Sequence, residues 1–230
     1  MDTSSTIIDL THTISSKTPT FDGGCGFYLS TTVDYHECTE PNLFRVQKID
    51  MRAGIGTHID APAHCIEGGE TIESLKLENL VTACVMIAVD TGGEETFRIL
   101  PEIVEAFEKT HGQIASNSFV IFYTGWDKYW DTAEKYLNDH KSPSIDVRTA
   151  ELLLARNVSG IGIDTLSADS GAEDFPVHRA VLGAGKYLVE NIANASKLPS
   201  VGAQSIVLPM KIQDATESPV RLIALVPSKI

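Results

Sequence analysis

Positive charge is scarce in this chain. Its 230 residues carry 18 Lys and Arg against 31 Asp and Glu, a formal net charge of −13. A surface so poor in basic groups lacks the electrostatic footprint that nucleic acids and anionic membranes select, and neither is expected as a partner. Long apolar runs are also missing. No stretch approaches the roughly 18 apolar residues of a membrane-spanning helix, and none is expected. The opening residues, Met1-Asp2-Thr3-Ser4-Ser5, lack the basic and apolar regions of a secretory signal, so the cytoplasm is the expected compartment. Cysteine is sparse. Cys25, Cys38, Cys65 and Cys84 contain no C-x-x-C pair, which argues against a disulfide framework. No fixed repeat period and no low-complexity segment is present.

What is there is apolar material for a core. Hydrophobic residues make up 43% of the chain, enough for one domain spanning residues 1–230. Residues 6–10 read as a first strand. Residues 46–52 alternate apolar and polar, which predicts a half-buried strand. The short apolar runs 83–90, 118–124 and 158–164 read as buried strands, followed by strands over 186–192, 205–210 and 220–226. Pro101 opens a helix over 101–110 that stops before Gly112. Asp146 is placed to cap a helix over 147–156, with Leu152, Leu153 and Ala155 on its buried side. Residues 171–174 read as an acidic loop. Many short strands with a few helices predict an α/β fold with a mixed sheet.

The densest chemistry lies in Gly56-Thr57-His58-Ile59-Asp60-Ala61-Pro62-Ala63-His64. Two histidines and a carboxylate fall within seven residues, with Gly54, Gly56 and Pro62 breaking the backbone around them. On extended backbone, residues two apart share a face, so His58 and Asp60 can point the same way. Neutral imidazole and carboxylate are the usual ligands of zinc and similar divalent ions. Taken alone a His-x-Asp pair is common and means little. Cys65 follows His64 directly, but sequence neighbours on extended backbone face apart, and a buried structural thiol is the plainer reading. No Gly-x-Ser-x-Gly elbow is present, which weakens any serine-hydrolase reading.

The longer Gly-Thr-His-x-Asp-x-Pro-x-His run resembles the signature of the metal-dependent hydrolases of the cyclase family, which includes kynurenine formamidase, isatin hydrolase and some dienelactone hydrolases. Gly162-Ile163-Asp164-Thr165, Leu208-Pro209-Met210-Lys211-Ile212 and Ser218-Pro219-Val220-Arg221 extend the likeness over nearly the whole chain. The resemblance implies a swivelling β/β/α type of domain. It implies that His178 and Glu190, twelve residues apart, complete a metal site with His58 and Asp60. The expected cofactor is one or two divalent ions, Zn²⁺ first and Mn²⁺ second. It also implies that the Thr18-Pro19-Thr20-Phe21 loop brings Phe21 over a small-molecule substrate, and that the chain forms homodimers or larger homo-oligomers. The expected activity is hydrolysis of a small amide, lactam or lactone, with His64 as general base and acid.

One position departs from that pattern. The family motif commonly begins with a histidine four residues before the Gly-Thr-His histidine, and Gly54 stands there. Three readings stay open. The chain holds one ion rather than two, or Gln204 or Cys65 replaces the lost ligand, or the protein binds a metal or ligand without turnover.

Overall fold

The computed structural model describes residues 5–169 and 174–228, so the predicted acidic loop, apart from Asp174, lies outside the described residues. In chain order the strands are β1 (Ser5–Asp9), β2 (Phe27–Val33), β3 (Val46–Met51), β4 (His58–Asp60), β5 (Val81–Ala88), β6 (Arg98–Ile99), β7 (Phe119–Tyr123), β8 (Ser144–Ile145), β9 (Gly160–Ile163), β10 (Tyr187–Glu190), β11 (Ala203–Pro209) and β12 (Glu217–Pro227). The helices are α1 (Leu77–Leu80), α2 (Pro101–His111), α3 (Ala133–Leu137), α4 (Val147–Ala155) and α5 (Pro176–Gly183). No helix among the described residues is long and apolar enough to cross a membrane.

The apolar runs form the centre of the sheet. β5, β7, β9 and β10 run parallel, with Val85 opposite Val120, Val120 opposite Ile161 and Ile161 opposite Leu188. Strands covered on both faces have no polar face to show, which is why these segments read as unbroken apolar runs. One face sends Cys84, Met86, Phe119, Ile121, Tyr187 and Val189 to a core shared with Ile59, Val207 and Leu222. The other sends Val85, Ile87, Val120, Phe122, Ile161 and Ile163 beneath Val104 of α2, Leu153 of α4 and Val181 of α5. β11 pairs antiparallel with β5 and β12, making the sheet mixed as predicted.

β12 then pairs with β4, and β4 pairs with β10, so the sheet closes on itself, with β1 added along β12. The enclosed space is tight. A Cβ on Gly162 would lie 2.5 Å from Ile192 Cδ1 and 2.7 Å from Phe119 Cζ, so the glycine makes room for the ring of the neighbouring strand.

The helices largely follow their sequence signals. α2 opens on Pro101 and closes on Gly112 at φ 88. The Asp146 carboxylate accepts from the Arg148 N–H and caps α4. The buried side of α4 is Thr149, Ala150 and Leu153, whereas Ala155 is exposed rather than buried. At about 100° per residue it lands on the side opposite Leu153.

β3 is the clearest departure. It was expected to be half-buried, but it pairs only with β2, and almost every residue of this hairpin is exposed. Alternation marks a strand with two unlike faces; it does not supply a layer to cover the apolar one.

The loop after β1 buttresses the motif. The His12 N–H donates to Thr57 Oγ1, and that hydroxyl donates to the Asn191 carbonyl at 2.6 Å. The His12 ring stacks on Trp130 with centroids 3.8 Å apart. Burial drives the His12 pKa down to about 4, against a smaller opposing pull from Asp131. The unfolded chain therefore takes up this proton first as pH falls below about 6.5, and the stability present above that pH is lost on the way down to about 4. The full contribution is about 3 kcal/mol. His12→Phe keeps a stacked ring and removes the titration. Urea unfolding at pH 7.5 and 4.5 should show a smaller loss of stability in the variant; an equal loss would sink this assignment.

Candidate metal centre

Strand register assembles the site. β4 lies between two antiparallel partners, with Glu190 of β10 directly across from His58 and Glu217 of β12 directly across from Asp60. His58 and Asp60, two residues apart, share a face, and side chains directly opposite across a ladder share it too. Four potential ligands from three strands thus point to one side. His178 joins them from the first turn of α5.

Local chemistry fixes the approach to β4. Gly56 has φ 65, a conformation that glycine adopts freely and other residues rarely adopt. Its carbonyl accepts from His58 Nδ1 at 2.8 Å and from Asn191 Nδ2 at 2.9 Å. Asn191 Oδ1 in turn accepts from the buried Tyr136 hydroxyl at 2.8 Å. After β4, Pro62 starts a 3₁₀ turn over Pro62–His64. The turn replaces the extended backbone expected there, and His64 and Cys65 both line the same cavity instead of facing apart. Cys65 is exposed rather than buried, and desolvation raises its pKa, so it stays a thiol and not a nucleophilic thiolate.

The donor atoms converge. His58 Nε2 lies 3.5 Å from Asp60 Oδ1 and 3.7 Å from Glu190 Oε2. His178 Nε2 lies 3.6 Å from Asp60 Oδ2 and 3.2 Å from Glu190 Oε1. Both histidines are oriented through their other nitrogen. His58 Nδ1 faces the Gly56 carbonyl and His178 Nδ1 faces Asp169 Oδ2 at 2.7 Å. Each acceptor places the hydrogen on Nδ1 and leaves the Nε2 lone pair aimed at the cluster, the arrangement that orients metal-binding imidazoles. Asp169 is held in turn, its carboxylate accepting the Val177 and His178 N–H groups at the start of α5.

The carboxylates fit a cation equally well. Asp60 is 1% exposed, and neither of its oxygens has a hydrogen-bond partner. An ionised carboxylate buried without hydrogen bonds is strongly unfavourable unless a positive charge sits beside it. Burial opposes protonation of His58, but Asp60 and Glu190 outweigh it and hold the pKa above its ordinary value. His178 is likewise raised, desolvation being overcome by Glu190, Asp169 and Asp60. Burial pushes Asp60 upward, and the neighbouring imidazoles pull it below the usual carboxylate range. Donor atoms of Asp60, His178 and Glu190 lie within 4.8 Å of one another, as do those of His58, Asp60 and Glu217. These groups can hold a divalent cation. They border a cavity of about 320 Å³ lined also by Phe21, Gly54, Leu166, Ser167 and Phe175.

Of the residues expected from sequence, His58, Asp60, His64, His178, Glu190 and Phe21 all face this cavity. Gln204 does not. It is exposed on β11, paired with Ala83 and Leu225, and takes no part in lining the cavity. Sequence reasoning missed Glu217, Asp169 and Phe175. Glu217 adjoins the recognised Ser218-Pro219-Val220-Arg221 segment, but only the pairing of β12 with β4 puts it opposite Asp60. Phe175 sits at φ 44, strained for a non-glycine residue, and its ring lies 6.3 Å from that of Phe21.

Known proteins are similar to this chain over most of its length. A family model described as putative cyclase matches residues 8–170. Isatin hydrolase of Roseibium aggregatum is 27% identical over 241 residues, covering 96% of this chain and 92% of that protein. Kynurenine formamidase of Polaromonas naphthalenivorans is 25% identical over 221 residues, covering 94% and 89%. The structure of isatin hydrolase A from Labrenzia aggregata, bound to benzyl benzoate, superposes with a TM-score of 0.87 at 30% identity over 97% of this chain and 94% of that one.

The hold of Asp169 on His178 gives a direct test. Asp169→Asn should weaken Zn²⁺ or Mn²⁺ binding by roughly 10–100-fold, read by calorimetric titration. Unchanged affinity would show that His178 needs no such anchor.

Proposed function

Because the chain belongs to the cyclase family, we propose that it is a metal-dependent hydrolase of a small cyclic amide, lactam or lactone, or of an aryl formamide. The observation that carries this reading is the convergence of two Nδ1-anchored imidazoles with Asp60 and Glu190 beside a cavity that also holds His64. His58, Asp60, His178 and Glu190 would hold the ion. When bound, a divalent cation supplies Lewis acidity, polarising a carbonyl and lowering the pKa of water.

The chain's own residues supply the rest. His64 takes a proton from the attacking water and returns one to the leaving nitrogen or oxygen. Its Nδ1 lies 3.3 Å from Glu217 Oε2, which turns the ring and leaves Nε2 for the proton transfer. Phe21 and Phe175 supply apolar walls, and Leu166 and Ser167 line the cavity with them. That lining suits a flat aromatic ring carrying one hydrolysable bond. Isatin and N-formylkynurenine, the substrates suggested by the relatives' names, are the first compounds to assay.

Gly54 favours a second reading, a homologue that binds metal or ligand without turnover. Tight cation binding with no hydrolysis across formamides, lactams and lactones would select it.

Self-association belongs to the same proposal. The β2–β3 hairpin exposes Tyr28, Leu29 and Ile49, each more than half accessible, beside open strand edges. A second copy of the chain covers such a surface at no cost in new design. Light scattering should return a dimer or larger, and Leu29→Lys with Ile49→Lys should shift it toward monomer. A wild-type monomer would refute this part.

For the reaction itself, His64→Ala should lower kcat by about 10²–10⁴-fold while cation content, measured by elemental analysis, stays the same. Loss of the cation together with unfolding would mean that His64 has been given the wrong role.

A further inference from the structure

We propose that Glu217 is a cation ligand of this chain, occupying the space that Gly54 leaves by having no side chain. With His58 and Asp60 it forms a second cation position beside the one bounded by Asp60, His178 and Glu190. The inference rests on the metal-centre reading above and specifies how that centre is built here.

Position 54 is the starting point. A Cβ built on Gly54 would overlap Glu217 Oε1 and lie 3.5 Å from His58 Cδ2. Gly54 is not among the residues of positive φ, so the backbone does not demand a glycine. The Glu217 carboxylate fills the side-chain space of residue 54. A side chain at 54 would therefore have to turn the Glu217 carboxylate out of the position it now holds. A histidine at 54 would reach toward the His58 side of the cluster from the loop before β4; Glu217 reaches the same side from β12.

Asp60 supplies the independent observation. It is the residue common to the two donor groups. Its Oδ1 faces His58 and its Oδ2 faces His178, and both buried oxygens lack hydrogen-bond partners. A carboxylate with one free oxygen turned to each donor group is disposed to bridge two cations. Without Glu217 the His58 side would keep His58 and Asp60 and would have to share Glu190, 3.7 Å from His58 Nε2, with the other position.

The exchange also alters selectivity. A glutamate in place of an imidazole adds one negative charge and trades nitrogen for oxygen. Oxygen-rich sets suit Mn²⁺, whereas imidazole suits Zn²⁺. The His58–Asp60–Glu217 position, one imidazole and two carboxylates like its neighbour, therefore favours Mn²⁺ more than the same position would with histidine at 54.

A competing role for Glu217 is to pair only with His64, whose Nδ1 lies 3.3 Å from its Oε2. The test separates the two. Full-length protein is titrated with Mn²⁺, with free ion read by electron paramagnetic resonance and bound ion by elemental analysis after desalting. Wild type should bind two Mn²⁺ per chain and show an exchange-coupled pair at low temperature. Glu217→Gln, nearly isosteric, should bind one and lose the coupled signal. Its second-site affinity should fall by more than the roughly 10–100-fold caused by losing an outer hydrogen-bonding partner. His64→Ala should still bind two. Gly54→His with Glu217→Ala should regain two ions and prefer Zn²⁺ at the restored position. Two ions in Glu217→Gln with unchanged affinity would overturn the proposal, and so would a single ion in wild type. Wild type binding neither Mn²⁺ nor Zn²⁺ would instead bring down the metal-centre reading on which this one stands. Thermal melting confirms that each variant is folded, and Glu217→Gln decides if Gly54→His with Glu217→Ala is not.

Discussion

The strand His58–Asp60 is three residues long and is paired on both edges, by Leu188–Glu190 on one side and Glu217–Pro219 on the other. That double pairing closes the sheet and decides which side chains share a face. His58 meets Glu190 and Asp60 meets Glu217 because the ladders are in that register and no other. A slip of one residue in either ladder would turn a carboxylate away from the cavity. The support around β4 serves this alignment: Gly56 makes the bend, Thr57 ties His12 to Asn191, and Tyr136 holds Asn191 in place.

The site concentrates negative charge where water is scarce. Asp60, Glu190 and Asp169 are buried side by side, and their charge is met by the imidazoles of His58 and His178 and by the backbone N–H groups of Ala168, Val177 and His178. Protons on His58 and His178 and a divalent cation are therefore alternative solutions to one electrostatic problem, and the two compete for the same Nε2 atoms. Asp169 has a different part. It accepts from backbone N–H groups as well as from His178, so its charge is satisfied and it acts by fixing the ring.

Much of this was readable in the residues themselves. The buried parallel strands announced themselves as apolar runs, Pro101 and Asp146 marked helix starts, and the motif around His58 pointed to side chains that line the cavity. What failed to read was non-local. Gln204 and Glu217 are both polar residues in C-terminal strands, and only the pairing of β12 with β4 separates the exposed one from the one in the cavity. His64 and Cys65 looked opposed until the 3₁₀ turn at Pro62 brought them to one wall. The alternation of 46–52 gave the strand correctly and its burial wrongly, because burial depends on what packs against it. Gly54 read as a loss, whereas the space beside it is filled by a side chain 163 positions further along the chain.

The closure of the sheet by β4 has a bearing on how the protein folds. His58 and Asp60 meet Glu190 and Glu217 only after more than half of the chain has been brought together. Contacts of such long range form late, since loop-closure entropy must be met before they contribute. The unfolded chain contains no version of this cluster. Whatever ion the native state binds thus adds its binding free energy to the fold, about 2.7 kcal/mol at a hundredfold excess over Kd. With an ion bound, the three-residue strand would work as a clasp whose strength is set by the ion supply of its surroundings as well as by its own hydrogen bonds.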